Sequence, residues 1–306
     1  MKYDSIIVLG ATATGKTGFS VELAKALNGE IINADSQQIY KNLNIGTAKI
    51  TEEEKQNIPH HLFDLIAVGE DFSVSQFFSL AKEKIGELKS KGKLPVIVGG
   101  TGFYIDSLLY KLDFGNTKKD SSLRNYYEKL AKENGNDYVH NILTELDPVS
   151  AKKLHPNDLK RVIRAIEIAK TSSIKKSEQV KTPLDLIKPL IINLISDRET
   201  LYERINLRVD KMLKDGLFSE VKNLYEKGFY NIENKASLPI GYSEWQGYYD
   251  KTMSQAECIE LIKQHTRNYA KRQITWFKQY KPHLEFDLLK TSLSEAVKQT
   301  LNLFCE

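Results

Sequence analysis

The chain has 306 residues, 41% of them hydrophobic and 27% charged, with a net charge of +4. It is too apolar for a disordered chain and long enough for one large core or two modest ones, while its longest apolar runs, 6–9 and 190–195, fall far short of the roughly 20 residues of a membrane span. Cys258 and Cys305 are far apart and have no CxxC partner, which excludes a disulfide framework and a cysteine-based zinc site. No signal-peptide pattern follows Met1, so a cytoplasmic protein with no membrane partner is expected.

In chain order, the pattern predicts a buried strand at 5–9, a helix at 16–27, a strand at 30–34, an amphipathic helix at 74–91 and a strand at 94–98. Strands alternating with helices imply a parallel sheet. After Leu112 the sequence turns polar and rich in Lys and Asn; helical stretches are expected near 123–133, 138–146 and 158–170, with no strand. This reads as a helical insertion at 116–188 in a core formed by 1–115 and 189–306. The sheet resumes with a strand at 189–195. Helices at 198–214 and 219–226 follow, stopped by Gly216 and Gly228, and then a long helix at 254–279 and a strand at 284–288 with a short helix after it.

Gly10-Ala11-Thr12-Ala13-Thr14-Gly15-Lys16-Thr17 fits GxxxxGK[ST] between a buried strand and a helix, the context in which that pattern cradles phosphate. Glycines let the backbone bend close to an anion, the helix N-terminus and exposed N–H groups attract it, Lys16 adds a charge and Thr17 offers a hydroxyl to Mg²⁺. The alternative is a plain Gly-rich turn. Asp35 follows the second strand at the sheet's carboxyl edge, where a carboxylate can ligate magnesium or accept a proton, or simply close an Asx-turn. Gly99-Gly100-Thr101-Gly102 ends the third strand at the same edge and allows a close backbone approach. The cradle alone does not separate kinases, NTPases and users of prenyl diphosphates.

These segments together resemble the tRNA dimethylallyltransferases, also called tRNA isopentenyltransferases: GATATGKT at 10–17, DSQQIY at 35–40, GTAK at 46–49, PHHL at 59–62 and VGGTGFY at 98–104. The likeness continues through HPNDLKRVIRAIE at 155–167, RINLRVDKMLKDGLFSEV at 204–221, IGYSE at 240–244 and AKRQITWF at 270–277. Ala11 stands where proline is usual in the family and Thr14 where serine is. The resemblance implies a P-loop NTPase-like, doubly wound parallel sheet with an inserted helical domain. It also implies transfer of a dimethylallyl group from dimethylallyl diphosphate to N6 of adenosine-37 in tRNAs that read codons starting with U, with Mg²⁺ on the departing diphosphate.

By the same resemblance the catalytic residues are Asp35, as general base, with Lys16 and Thr17. The diphosphate falls to residues 10–17 and Arg208, and the RNA to Asp35, Ser36, Gln37, Gln38, Thr101, Arg124, Lys160, Arg161, Arg164, Arg204, Arg267, Lys271 and Arg272. Arg204 and Arg208 share a helical face at i, i+4.

The charge pattern gives an independent pointer to RNA. From 261 to 282 there are basic residues Lys263, Arg267, Lys271, Arg272, Lys278 and Lys281 and no acidic one, which reads as a track for a phosphate backbone. On another face of that helix Ile262, Tyr269 and Trp276 recur every seven residues and are expected in the core. Lys152, Lys153, Lys160, Arg161 and Arg164 add positive charge to the insertion, which the family uses to grip the anticodon stem-loop. His60 and His61 lack a third ligand at metal spacing and are read as structural. A single copy is expected to act alone. Three rivals stay open: an adenylate isopentenyltransferase acting on free AMP or ATP, a P-loop kinase, and a non-enzymatic RNA-binding module.

Overall fold

A computed structural model describes residues 2–112, 121–172, 175–178, 181–231 and 238–306. The chain divides into two compact units, Met1–Leu109 together with Asp185–Glu306, and Tyr110–Leu184.

The first unit is built on six strands: β1 (Ser5–Gly10), β2 (Gly29–Asn33), β3 (His60–His61), β4 (Leu94–Val98), β7 (Pro189–Ile195) and β8 (Leu284–Asp287). They lie in the order β3-β2-β4-β1-β7-β8, with every pairing parallel. Central strands that read as unbroken apolar runs must be covered on both faces. Ile6 and Val8 of β1 join one core cluster with Ile31, Val96 and Ile192. Ile7 and Leu9, which alternate to the opposite face, are equally inaccessible. Each such side chain contributes roughly 1.5–3 kcal/mol on burial.

Helix α1 (Lys16–Ala26) and α13 (Leu293–Cys305) cover the first face, with Phe19, Leu23, Ala296 and Phe304 in its core. The remaining helices of this unit are α2 (Glu52–Lys55), α3 (Val74–Ser90), α4 (Gly102–Leu109), α9 (Arg198–Lys214), α10 (Leu217–Glu226), α11 (Gln246–Tyr249) and α12 (Gln255–Phe277). Their starts follow local chemistry. Ser73 and Ser254 form capping boxes with Gln76 and Glu257, and Asp197 accepts the Thr200 N–H at 2.9 Å.

The second unit holds α5 (Ser121–Asn134), α6 (Asn136–Leu146), α7 (Pro148–Lys153) and α8 (Leu159–Thr171) around Tyr127, Val139, Leu143, Val162 and Ile166. It differs from expectation in two respects: the short helix α7 stands between the second and third expected helices, and β5 (Tyr110–Lys111) pairs antiparallel with β6 (Thr182–Pro183), a ribbon too short to give an alternation signal. The unit accordingly runs 110–184 rather than 116–188. The expected boundary at 115/116 lies outside the described residues. No helix of the described residues is long and apolar enough to cross a membrane.

Candidate active site

The connection from β1 to α1 carries the GxxxxGKT segment. Gly15 sits at φ +94° as the N-cap of α1, a conformation that a side chain strains, and Ala13 beside it is also left-handed at +65°. Within the loop, Lys16 Nζ donates to Gly10 O at 2.9 Å and Ala11 O at 2.7 Å, and Thr14 Oγ1 donates to Ala11 O at 2.9 Å. Burial pushes the Lys16 ammonium down to about 8, Asp35 opposes that shift and Arg208 adds to it. Thr17 lies exposed on the first turn of α1.

Two other elements reach into this loop. From α9, Arg208 Nη1 donates to Thr12 Oγ1 at 3.0 Å; burial lowers the Arg208 pKa while Asp35 raises it. From α12, Gln273 Oε1 accepts the Thr12 N–H at 2.8 Å, and Gln273 Nε2 donates to Gly100 O at 3.0 Å. That second bond explains a glycine: a Cβ at Gly100 would stand 2.0 Å from Gln273 Nε2. Gln273 is 4% exposed, a buried amide joining the loops after β1 and β4.

Asp35 lies just past β2. Its N–H donates to Asn33 Oδ1 at 3.0 Å and its Oδ1 accepts the Gln37 N–H at 2.9 Å, so the Asx-turn exists alongside any chemical role. Burial raises its pKa above the usual carboxylate range, and the Gln37 N–H, Lys16 and Arg208 oppose that rise. The Ser36 N–H donates to Thr101 Oγ1 at 2.9 Å, and the Thr101 hydroxyl donates to Ser36 Oγ at 3.0 Å. The carboxyl ends of β1, β2 and β4 therefore converge on one crevice, as an open parallel sheet requires where its strand order reverses.

A cavity of about 300 Å³ opens there. Thr12, Asp35, Gln37, Arg208 and Arg272 form its polar side, and Ile205, Val209, Met212, Leu238, Ile240 and Ile262 its apolar side. Gly46, Thr47 and Ala48 make a further wall, fixed from behind by Glu220. Its carboxylate accepts the N–H groups of Asn44 (3.0 Å), Ile45 (3.0 Å) and Gly46 (3.3 Å) and the Tyr242 hydroxyl.

Several expectations need correction. Gln38 donates its Nε2 to Thr47 O and Ala48 O at 3.2 Å and so braces the cavity wall. The basic stripe of α12 is not an open track along its length: Lys263 pairs with Asp210 of α9 at 2.8 Å and Arg267 donates to Asn206 Oδ1 at 2.6 Å. A helix packed on a neighbour finds its counter-charges there, which local sequence does not report. Lys271 and Arg272 remain exposed, and Arg272 lies 5.7 Å from the Tyr269 ring. Of the supposed core stripe only Ile262 is buried. Tyr269 lines the cavity and Trp276 is 37% exposed, while Cys258, Ala270, Gln273 and Phe277 fill the buried face.

Arg204 is half-buried on α9, one turn before Arg208. In the second unit Lys160 and Arg161 are exposed, whereas Arg124 and Arg164 meet the wholly buried Glu167 at 2.8 and 2.6 Å. His61 Nε2 lies 2.6 Å from Glu30 and His60 Nδ1 2.7 Å from Ile58 O, and no cluster of metal-ligating side chains occurs among the described residues.

Gln273, Tyr269, Glu220 and the 46–48 wall were not read as functional from sequence. The available signal was a polar glutamine at a helix position whose period called for an apolar residue.

Known proteins resemble this chain in sequence and in structure. The family profile for IPP transferase matches residues 38–280. The tRNA dimethylallyltransferase of Acetivibrio thermocellus is 49% identical over 277 residues, covering 89% of this chain and 88% of its own, and that of Bacillus subtilis is 45% identical over 290 residues, covering 94% and 91%. Among solved structures, the full-length tRNA isopentenylpyrophosphate transferase of Bacillus halodurans superposes with a TM-score of 0.72 at 37% identity, covering 99% of this chain and 96% of that one. A eukaryotic dimethylallyltransferase acting on tRNA superposes with a TM-score of 0.82 at 30% identity, covering 97% and 77%. With a family profile over most of its length and relatives of this identity end to end, the chain belongs to the IPP transferase family, the tRNA dimethylallyltransferases.

Proposed function

We propose that the chain moves a dimethylallyl group from dimethylallyl diphosphate to N6 of adenosine-37, beside the anticodon, in tRNAs that read codons starting with U. The observation that carries this reading is the junction of three features in one cavity: the phosphate loop with Arg208, the carboxylate of Asp35, and an apolar side formed by α9, α12 and residues 238–240. Its volume, about 300 Å³, is at the small end of the range for ligand pockets and suits a short apolar tail.

In the reaction, the N6 amine attacks C1 of the donor, the C1–N6 bond forms as the C1–O bond breaks, and diphosphate departs with the bonding pair. The amine proton goes to Asp35. That proton becomes acidic only as the C–N bond forms, so a carboxylate within hydrogen-bond reach is sufficient as base, and its raised pKa makes it a better acceptor. Lys16, Arg208 and the loop N–H groups neutralise the charge that collects on the diphosphate.

Thr17 offers a hard oxygen ligand on the exposed turn beside the cradle, a donor set that fits Mg²⁺, which usually takes few protein ligands and completes its shell with phosphate oxygens and water. Bound there, Mg²⁺ would supply further charge neutralisation to the leaving group. The exposed bases Lys160, Arg161, Lys271 and Arg272 supply phosphate contacts to the anticodon stem-loop.

The test is incubation of the protein with Mg²⁺, labelled dimethylallyl diphosphate and unmodified tRNA, beside AMP and ATP controls and an Asp35→Ala variant. Label in tRNA but not in AMP, lost in the variant, is the expected result. Label in AMP instead identifies a free-nucleotide enzyme, and no label in either removes the prenyl-transfer reading.

A further inference from the structure

Beside Gly102, in the loop that follows β4, the chain leaves two large aromatic rings in solvent. Phe103, on the first turn of α4 two residues after Thr101, is 47% exposed, and Trp276 of α12 is 37% exposed. Their centroids are 6.5 Å apart with planes at 68°, an edge-to-face pair that spends only one ring face on the contact. The placement is built rather than accidental. Trp276 lies directly on Gly102, where a Cβ would meet its indole at 2.2 Å, and Tyr280 donates its hydroxyl to Gly102 O at 3.1 Å from below.

The charges that α12 exposes beside this pair carry one sign, and the nearby carboxylate of Asp106 is buried against the Tyr280 hydroxyl. Arg272, one helical turn before Trp276 on the same face of α12, is exposed and lines the donor cavity, and Lys271 and Lys278 flank it, also exposed. No acidic residue occurs between 261 and 282. Exposed aromatic faces set in positive charge suit one occupant: the unstacked bases of a single-stranded nucleic-acid segment, whose rings stack on the aromatics while the phosphates meet the cations. A protein partner would instead favour a broader apolar patch with mixed charge at its rim.

We infer that Phe103 and Trp276 form a stacking platform for an unpaired loop base adjacent to the one that enters the crevice. The inference rests on the tRNA reading above and deepens it. When the target adenine leaves the stack, its neighbour loses a stacking partner, and the platform replaces it. The platform therefore acts on RNA binding and leaves donor binding alone.

The chain supplies its own probe. It contains two tryptophans, Trp245 wholly buried and Trp276 partly exposed, so acrylamide quenching reports Trp276. Titration with an unmodified anticodon stem-loop should protect that fluorescence, and a blunt RNA duplex of equal length should not. Phe103→Leu, at an exposed position, should raise the Kd and KM for the stem-loop on the order of 10-fold while the KM for dimethylallyl diphosphate stays unchanged. Trp276→Phe, which keeps a stacking ring, should lose less affinity than Trp276→Leu.

A stem-loop that binds and is prenylated while Trp276 stays fully quenchable overturns the platform, as does a Phe103→Leu protein with unaltered stem-loop affinity. A wild-type protein that prenylates no RNA overturns the reading on which the platform rests, which is a separate result.

Discussion

The carboxamide oxygen of Gln273, on the long helix α12, accepts the backbone N–H of Thr12 in the phosphate loop at 2.8 Å. With its nitrogen on Gly100 O, the same side chain fixes the spacing between the GxxxxGKT loop and the loop that holds Thr101. Gln273→Leu keeps the approximate shape but leaves a buried N–H and a buried C=O unpaired, each worth roughly 1–3 kcal/mol. A lower urea midpoint with a higher KM for dimethylallyl diphosphate is expected. An unchanged midpoint would show that Thr12 and Gly100 find other partners.

The two titrations at the site run in opposite senses. Asp35 must be ionised to accept a proton, and burial holds its pKa above the usual range, so kcat should rise with pH through a limb displaced above that of an ordinary carboxylate. Lys16 is charged only below about 8, so kcat/KM for the donor should fall above that pH. The same shift affects stability. Between about 8 and the ordinary lysine range the unfolded chain holds a proton that the folded chain has released, so folding gains stability as pH rises. The stability of wild type relative to Lys16→Met should therefore grow from pH 8 to pH 10, which unfolding curves at several pH values would check.

Arg208 hydrogen-bonds Thr12 and faces Asp35 within the cavity. Arg208→Ala should cost on the order of 10²-fold in kcat, the usual effect of removing one donor that stabilises developing negative charge. Arg208→Lys should not restore the rate, because an ammonium lacks the planar guanidinium fork. Single-turnover kinetics at saturating tRNA would separate this loss from slower product release.

Glu220 holds the 44–46 backbone by accepting three consecutive N–H groups. In Glu220→Ala those amides lose their acceptor, so their hydrogen exchange should accelerate well before global unfolding. Uniform protection across both proteins would mean that the wall is held by other contacts.

In the second unit Glu167 is wholly buried against Arg124 and Arg164. Glu167→Ala leaves two guanidinium groups facing a buried site without their counter-ion, and such a change typically costs about 3–5 kcal/mol. Calorimetry should show a lower-melting transition, and the double change of both arginines to methionine should recover part of the loss.

How legible this was depended on the range of the interactions involved. Strand β7 and helix α9 begin and end where periodicity and capping placed them, because Asp197 and Gly216 act within a few residues. The phosphate loop, Asp35 and Thr101 were readable because each sits beside a strand end, and parallel strands must bring those ends to one edge. The ribbon of β5 and β6 was not, since its two-residue strands have no pattern to read.

The sequence by itself determined the sheet class, the phosphate loop and the family, since these rest on local spacing and on motifs that lie within short stretches of chain. Only the tertiary structure decided the rest. It turned Gln273 into a clamp rather than a misplaced polar residue, spent Lys263 and Arg267 on α9, and put Tyr269 in the cavity wall and left Trp276 partly in solvent. Those outcomes depend on which helix packs against which, set by the summed burial of many distant side chains. No local pattern in α12 encodes its neighbours.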